Sequence, residues 1–185
     1  LVGAAGCGKS RLAQHFCLQE TTNPERWPGG IWRLELSGCR SGAEVAGAIS
    51  GYLGLQGQAL GGAEGMAGWL SSALQPRGRT LLLLDTLEQL DDSGRELVGA
   101  MLSGTPELLC IGTSRRPLGL VGETIAKIGP LSIEESVALL RDRTPEPSAP
   151  GATEAHREQA LEEIARRLDC IPLALELAGA QLAAM

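Results

Sequence analysis

Two periodicities share the chain. Residues 80–85, Thr80-Leu81-Leu82-Leu83-Leu84-Asp85, form an apolar run closed by a carboxylate, the pattern of a strand buried on both faces of a parallel sheet. Leu108-Leu109-Cys110-Ile111-Gly112 repeats it and ends at Thr113-Ser114-Arg115. Residues 31–36, Ile31-Trp32-Arg33-Leu34-Glu35-Leu36, alternate apolar with polar as a half-exposed or edge strand does. Residues 123–128 read as a short last strand. Between these lie stretches with helical spacing: 10–20, with Leu12, Phe16 and Cys17 on one face; 44–55, with Val45, Ala48, Ile49, Tyr52 and Leu53; then 66–74 and 94–102. Residues 21–30, with two prolines and a glycine pair, the turn 37–41 and the glycine-rich 54–62 separate them. Strands alternating with helices predict right-handed βαβ units and a parallel sheet covered on both sides.

Beyond Pro130 the pattern is helical throughout. A helix is expected over 133–143, then a proline-rich loop over 144–151. Thr153 is placed to cap a long helix whose inner face carries Leu161, Ile164, Ala165 and Leu168. Glu162–Arg166 and Glu163–Arg167 are i,i+4 pairs on its outer face. Pro172 opens a final apolar helix through Leu173, Leu175 and Leu177. The expected organisation is an α/β domain over residues 1–130 and a smaller helical one over 131–185, with no internal repeat. The chain opens at Leu1-Val2, whereas the loop that follows normally succeeds a strand of about 5–6 residues. This reads as a first strand cut short, in a fragment that is also incomplete at its C-terminus and expected to be poorly stable alone.

Composition narrows the classes. At 185 residues, 43% hydrophobic and 21% charged, the chain has the balance of a globular protein with room for one sizeable core. Aromatics at 3% leave that core to Leu, Ile, Val and Ala. A net charge of −6 argues against a nucleic-acid surface in this segment. No apolar run approaches the ~18 residues that span a bilayer, and no secretory leader is visible, so a cytoplasmic setting is expected. The 5 cysteines are scattered without a C-x-x-C pair, as suits a reducing compartment. Cys17 and Cys110 read as small core residues.

The sharpest chemical signal is Gly3-Ala4-Ala5-Gly6-Cys7-Gly8-Lys9-Ser10, which fits G-x-x-x-x-G-K-[ST], the phosphate-binding loop. A polyphosphate needs backbone N–H groups converging on its oxygens, and glycine lets the chain curl that closely. Lys9 can reach the β- and γ-phosphates, and the Ser10 hydroxyl can hold Mg²⁺. The helix beginning near Gly8 aims its N-terminal dipole at the same anion. Gly3, Gly6, Cys7, Gly8, Lys9, Ser10 and Arg11 are the expected nucleotide contacts. Cys7, inside the loop beside Lys9, is read either as an oxidisable thiol or as a small buried residue. Asp85, at the carboxyl end of a buried strand, stands where open α/β sheets bind ligands, and could share Mg²⁺ with Ser10. Arg115 ends the next strand on the same sheet edge, either facing a γ-phosphate or lying solvated. His15 and His156 have no partner at catalytic spacing and read as exposed helix residues.

The succession GAAGCGKSRLA, LLLLDTLEQL, CIGTSRRPLGLVGE, GPLSIEESVALL and RLDCIPLALELAGAQL resembles the STAND (NB-ARC-like) P-loop ATPases, most of all the ATPase modules of large bacterial transcriptional regulators of the AfsR and LuxR-like type. The resemblance runs over residues 1–184. It implies an ASCE-type sheet, with the Arg115 strand between the loop's strand and the Asp85 strand, and a helical lid after Pro130. It further implies ATP or ADP with Mg²⁺ as ligands, and effector and sensor domains beyond this fragment. Oligomerisation on activation is a further expectation of the resemblance. Relatives carry a Gly-Leu-Pro-Leu motif on the adenine side of the lid. Cys170-Ile171-Pro172-Leu173 occupies its place, so only Pro172 carries over, and Pro172 also reads as an ordinary helix start. Many hydrolytic relatives place a second acid directly after the metal-binding Asp. Thr86 stands there, and Glu88 is the nearest carboxylate, read either as touching water or as a solvated helix start. Slow turnover is therefore expected, in a regulatory ATP/ADP switch with Lys9, Asp85, Arg115 and Glu88 as its reactive set. A fast ATPase or motor and a nucleotide-binding scaffold are the alternatives.

Overall fold

The computed structural model describes residues 1–56, 62–144 and 154–184. Helix α1 (Lys9–Glu20), strand β1 (Ile31–Glu35), helices α2 (Gly42–Leu53) and α3 (Ala63–Leu74), strand β2 (Thr80–Asp85), helix α4 (Asp92–Gly104) and strand β3 (Leu108–Gly112) follow in order. Helices α5 (Ile133–Arg143), α6 (Glu154–Arg167) and α7 (Pro172–Ala183) complete the chain. By their internal contacts the described residues form two units: Leu1–Val2 with Lys9–Lys127, and Gly3–Gly8 with Ile128–Met185.

The first unit is an α/β layer structure. Its three strands are parallel in the order β1-β2-β3. Strand β2 is central and buried along its whole length, as a continuous apolar run requires. Leu82 and Leu84 join a core formed with α2, α3 and α4, while Leu81 and Leu83 pack on the other face against Ala13 and Cys17 of α1. Each fully buried leucine contributes about 1.5–3 kcal/mol, so this strand anchors the unit. Past β3, Val2 bridges Ser114 on one side and Lys127 on the other, both parallel. The order across the layer is thus β1, β2, β3, Val2, Lys127.

Several sequence expectations are corrected here. No strand forms at 123–128; Lys127 makes one bridge with Val2, and Glu123 spends its carboxylate closing a turn on the N–H groups of Leu118 and Gly119 at 3.1 and 2.8 Å. Helix α1 buries Lys9, Ala13, Cys17 and Glu20; of the expected face only Cys17 is buried, and Leu12 is 48% and Phe16 38% exposed. Helix α2 buries Val45, Ala46, Ile49 and Leu53; Tyr52 is exposed, its ring edge-on to Trp32 at 6.1 Å. Helix α2 also starts two residues before 44, because Ser41 and Glu44 form a capping box: Ser41 N donates to Glu44 Oε2 at 2.9 Å and Glu44 N to Ser41 Oγ at 3.4 Å. Helix α3 starts at Ala63 rather than 66, and α4 at Asp92 rather than 94, capped by Asp91 through Gly94 N at 2.9 Å.

The second unit packs α5, α6 and α7 around Val137, Leu140, Leu161, Ala165, Cys170 and Leu175. The two expected ion pairs of α6 form, Glu162–Arg166 and Glu163–Arg167, each at 2.8 Å. Helix α7 begins at Pro172 but buries Leu175 and Gly179, leaving Leu173 and Leu177 exposed. The cap expected at Thr153, most of the proline-rich loop and residues 57–61 of the glycine-rich stretch lie outside the described residues. No described helix is long and apolar enough to cross a membrane.

Candidate functional site

Asp85 is the last residue of β2 and is 4% exposed. Burying a carboxylate is costly unless it is satisfied, and three groups satisfy this one. Ser10, in the first turn of α1, donates its hydroxyl to Asp85 Oδ1 at 2.7 Å. Thr113, just past β3 and 1% exposed, donates its hydroxyl to the same oxygen. Arg33 of β1 brings Nη2 to 3.8 Å from Oδ2. The strands explain the convergence: in-register neighbours in a parallel sheet point the same way, and the loops that follow β2 and β3 leave the sheet side by side. The geometry has a chemical consequence. With its proton on Asp85, the Ser10 oxygen keeps its lone pairs free for a cation.

The backbone after Asp85 is strained. Thr86 sits at φ 68°, the left-handed region that a β-branched residue seldom enters. Its N–H donates to Thr113 Oγ1 at 3.0 Å, so Thr113 is a two-way link between the carboxylate and the strained turn. Leu87 N donates to Thr113 O at 2.9 Å and fixes the same junction.

Glu88 and Arg115, both singled out from the sequence, meet each other. Arg115 Nε lies 3.0 Å from Glu88 Oε1, and Arg116 Nη2 donates to the Glu88 carbonyl at 3.4 Å. Glu88 stands in a 3₁₀ turn, Leu87–Gln89, rather than at the start of α4, and its carboxylate is engaged by a guanidinium. Arg115 is accordingly ion-paired rather than simply solvated. Arg11 is exposed on α1, as are His15 on α1 and His156 on α6. Lys9, the first residue of α1, is 9% exposed.

The loop Gly3–Gly8 has its own framework in the second unit. Gly6 and Gly8 have φ of 77° and 92°, which only glycine adopts at low cost. A Cβ on Gly3 would stand 2.1 Å from the Ile128 carbonyl oxygen, and one on Gly6 3.1 Å from both Ile171 Cγ2 and Leu173 Cβ. Leu173 N donates to Gly6 O at 3.1 Å. Pro172 fills the first turn of α7, where its missing N–H leaves nothing unpaired, and its two neighbours hold the loop. Cys7 is buried and donates its thiol to Ala4 O at 3.0 Å, which fits a small packed residue better than an exposed reactive one. All 5 cysteines are free thiols. Cys17 is buried, and desolvation raises its thiol pKa above the ordinary range. Cys110 reaches the surface in part, yet desolvation of its thiol pushes it up to about 12.

Among the described residues no group of three or more His, Cys, Asp and Glu could hold a metal ion. Ser10 and Asp85 offer a hydroxyl and a carboxylate 2.7 Å apart, a sparse set of hard oxygen donors. That suits Mg²⁺, which keeps several waters and takes its other ligands from substrate phosphates.

Arg33, Glu35 and the strain at Thr86 were not singled out in the sequence, and Thr113 was noted only as part of a strand end. The alternation of residues 31–35 held a usable signal, since it puts Ile31, Arg33 and Glu35 on one face. What was missing was the knowledge that this face continues into Asp85.

No protein-family model matches the chain. A protein of Mycobacterium tuberculosis named "Putative HTH-type transcriptional regulator" is 35% identical over 187 residues, covering 100% of this chain and 20% of that protein. A Mycobacterium bovis protein bearing the same description matches to the same extent, 35% over 187 residues. An "Uncharacterized protein" of M. tuberculosis is 32% identical over 183 residues, 98% of this chain and 44% of its own length. The chain therefore spans about a fifth of the length of the first two relatives, at 20%.

Proposed function

We propose that the chain is a P-loop nucleotide-binding module of the STAND (NB-ARC-like) type, an ATP/ADP-dependent switch with slow Mg²⁺-dependent ATPase activity. The observation that carries this reading is the 2.7 Å hydrogen bond from Ser10 Oγ to Asp85 Oδ1. It joins the last residue of the G-x-x-x-x-G-K-[ST] run to the carboxylate at the end of the central buried strand. The order β1, β2, β3, Val2, Lys127 supports it further, since it puts the Arg115 strand between the residues leading into the loop and the Asp85 strand, as expected of an ASCE-type sheet. Lys9 then serves the β- and γ-phosphates, loop N–H groups the phosphate oxygens, and Ser10 and Asp85 the metal. Bound Mg²⁺ supplies charge neutralisation at those phosphates.

Slow turnover is favoured over a motor. Thr86 replaces the acid that orients water in many hydrolytic relatives, and the nearest acid along the chain, Glu88, is engaged by Arg115 at 3.0 Å. A slow hydrolytic step lets ATP and ADP select different conformations for long enough to be read by other parts of a protein. The transcriptional-regulator names of the 35%-identical relatives favour a module serving transcriptional control in the cytoplasm, with effector and sensor domains as its partners. The experiment is a melting titration with Mg-ADP and Mg-ATP. Ligand at ~100 times its dissociation constant adds about 2.7 kcal/mol of stability, and Lys9→Ala abolishes the shift. Equal melting with and without either nucleotide would leave the scaffold reading in its place.

A further inference from the structure

A carboxylate placed to take the proton of the attacking water would assist hydrolysis of ATP, and the two positions the sequence offers do not supply one. Position 86 is a threonine in left-handed backbone whose N–H is bound to Thr113. Glu88 is paired with Arg115 at 3.0 Å. The sheet register offers another. Glu35, the last residue of β1, is the direct partner of Asp85 across the β1–β2 ladder. Parallel neighbours in register stand about 4.8 Å apart and project to the same face. An independent contact confirms which face that is. Arg33, two residues earlier on β1, reaches Asp85 Oδ2 at 3.8 Å, so the side chains alternating through Ile31, Arg33 and Glu35 share the face on which Asp85 meets Ser10. Glu35 is exposed at this edge, and its Oε1 accepts the Ser37 hydroxyl at 3.0 Å, which steadies the carboxylate without a counter-charge on that oxygen.

We propose that Glu35 is the general base of the hydrolytic step, taking the place of the acid missing at position 86; this rests on the nucleotide reading of Ser10 and Asp85. The water oxygen attacks the γ-phosphorus, and the bond from that phosphorus to the β,γ-bridging oxygen breaks, its electron pair staying with ADP. The proton released by the water passes to the Glu35 carboxylate and from there to solvent, and the products are ADP and inorganic phosphate. Such a base is carried on the neighbouring strand, held by one hydroxyl and set across from Asp85.

The test uses the full chain and three variants, Glu35→Gln, Glu35→Asp and Glu88→Gln, with Mg-ADP, Mg-ATP and a non-hydrolysable ATP analogue as probes. Single-turnover hydrolysis falls by roughly 10²-fold or more in Glu35→Gln, the range by which general bases accelerate such steps. It falls less in Glu35→Asp, which keeps a carboxylate, and less in Glu88→Gln, whose carboxylate is held by Arg115, than in Glu35→Gln. A binding readout independent of turnover accompanies it. Removing the charge next to the γ-phosphate tightens binding of the ATP analogue about 3-fold or more, while the affinity for Mg-ADP is unchanged. Retained ADP affinity with wild-type hydrolysis in Glu35→Gln overturns the proposal while leaving the nucleotide reading intact, as does a loss confined to Glu88→Gln. A wild-type chain that binds nucleotide without any hydrolysis overturns it too. Absence of nucleotide binding by the wild-type chain sinks the underlying reading itself.

Discussion

Thr113 offers the sharpest test of how the Asp85 carboxylate is held. Its hydroxyl donates to Asp85 Oδ1 and accepts from Thr86 N at 3.0 Å, in a residue 1% exposed. Thr113→Val preserves the branched shape and removes both bonds. A hydrogen bond to a charged acceptor contributes about 1.5–3 kcal/mol, and stranding a partly buried N–H costs on the order of 1 kcal/mol. The two losses share one atom, so they do not simply add, and a total of about 2–4 kcal/mol is expected. That is a large share of a typical stability of about 5–15 kcal/mol. For a chain of this length, it corresponds to a fall in melting temperature of roughly 4–16 °C. Thr113→Ser keeps the hydroxyl and is expected to retain most of the stability. A double-mutant cycle with Asp85→Ala separates the two bonds: with no carboxylate to receive it, the hydroxyl loses its donor role, and the cost of Thr113→Val drops to the Thr86 component. The assay is urea unfolding followed by circular dichroism without nucleotide. The reasoning fails if Thr113→Val unfolds like wild type, or if the serine variant is as weak as the valine one.

Other consequences are open to simpler measurement. Asp169 at φ 52° closes α6 with its N–H on Arg166 O at 3.1 Å, while Cys170 N reaches Ala165 O at 3.0 Å. Since glycine relieves the left-handed cost at such a helix end, Asp169→Gly is expected to raise stability by about 0.5–1 kcal/mol, and a lower urea midpoint would contradict this. Glu44, Asp91 and Glu134 have carboxyl pKa values held below their ordinary range, in each case first by a backbone hydrogen bond near a helix start. For a depressed folded pKa the stabilisation is complete above the ordinary value and is lost as pH falls through the folded one. Melting should therefore drop on the acid side below about pH 4.5, the ordinary value for Glu44, and Glu44→Gln should flatten that limb. Gly8→Ala, at φ 92°, should weaken Mg-ADP binding through backbone strain alone, although nothing stands within 4 Å of the added methyl; unchanged affinity would count against a requirement for that loop shape.

The central strand was legible because it is overdetermined. Six residues read as a doubly buried strand ending in a carboxylate, and β2 is that strand with no change of boundary. Strand β1 was legible as an edge for the opposite reason, its alternation, and it pairs on one side with β2. The helical faces were read less well. In α1 the expected stripe of Leu12, Phe16 and Cys17 held only at Cys17: Leu12 and Phe16 are exposed, and the side chains beneath the helix against Leu81 and Leu83 are the small Ala13 and Cys17. Size misled there because a helix laid close on a sheet selects for small residues at the contact. The error at 123–128 has another source: only Ile125, Ala126 and Ile128 of its six residues are apolar, and Glu123 stabilises a turn in front of the rest.

The departure from Gly-Leu-Pro-Leu shows where sequence reading reaches its limit. Position 170 was visible as a cysteine standing where the resemblance leads one to expect glycine, but the backbone it occupies was not. Cys170 lies at φ 53° directly after Asp169 at φ 52°, so glycine is the residue this backbone favours, and the chain tolerates strain at two successive positions. The thiol side chain is buried in the second unit's core with Val137, Leu161 and Leu175, and burial offsets part of that strain. At Thr86 the residue type was visible in the sequence, while the left-handed backbone and its bond to Thr113 could only come from three dimensions. In both cases the fold supplies the reason an unfavourable backbone can be borne: a partner, in the core or just past the next strand, that holds it in place. Strain of this kind is local and needs outside support. That places Thr113, more than any residue of the phosphate-loop motif, at the point where the stability of the α/β unit and the geometry of Asp85 depend on the same hydroxyl.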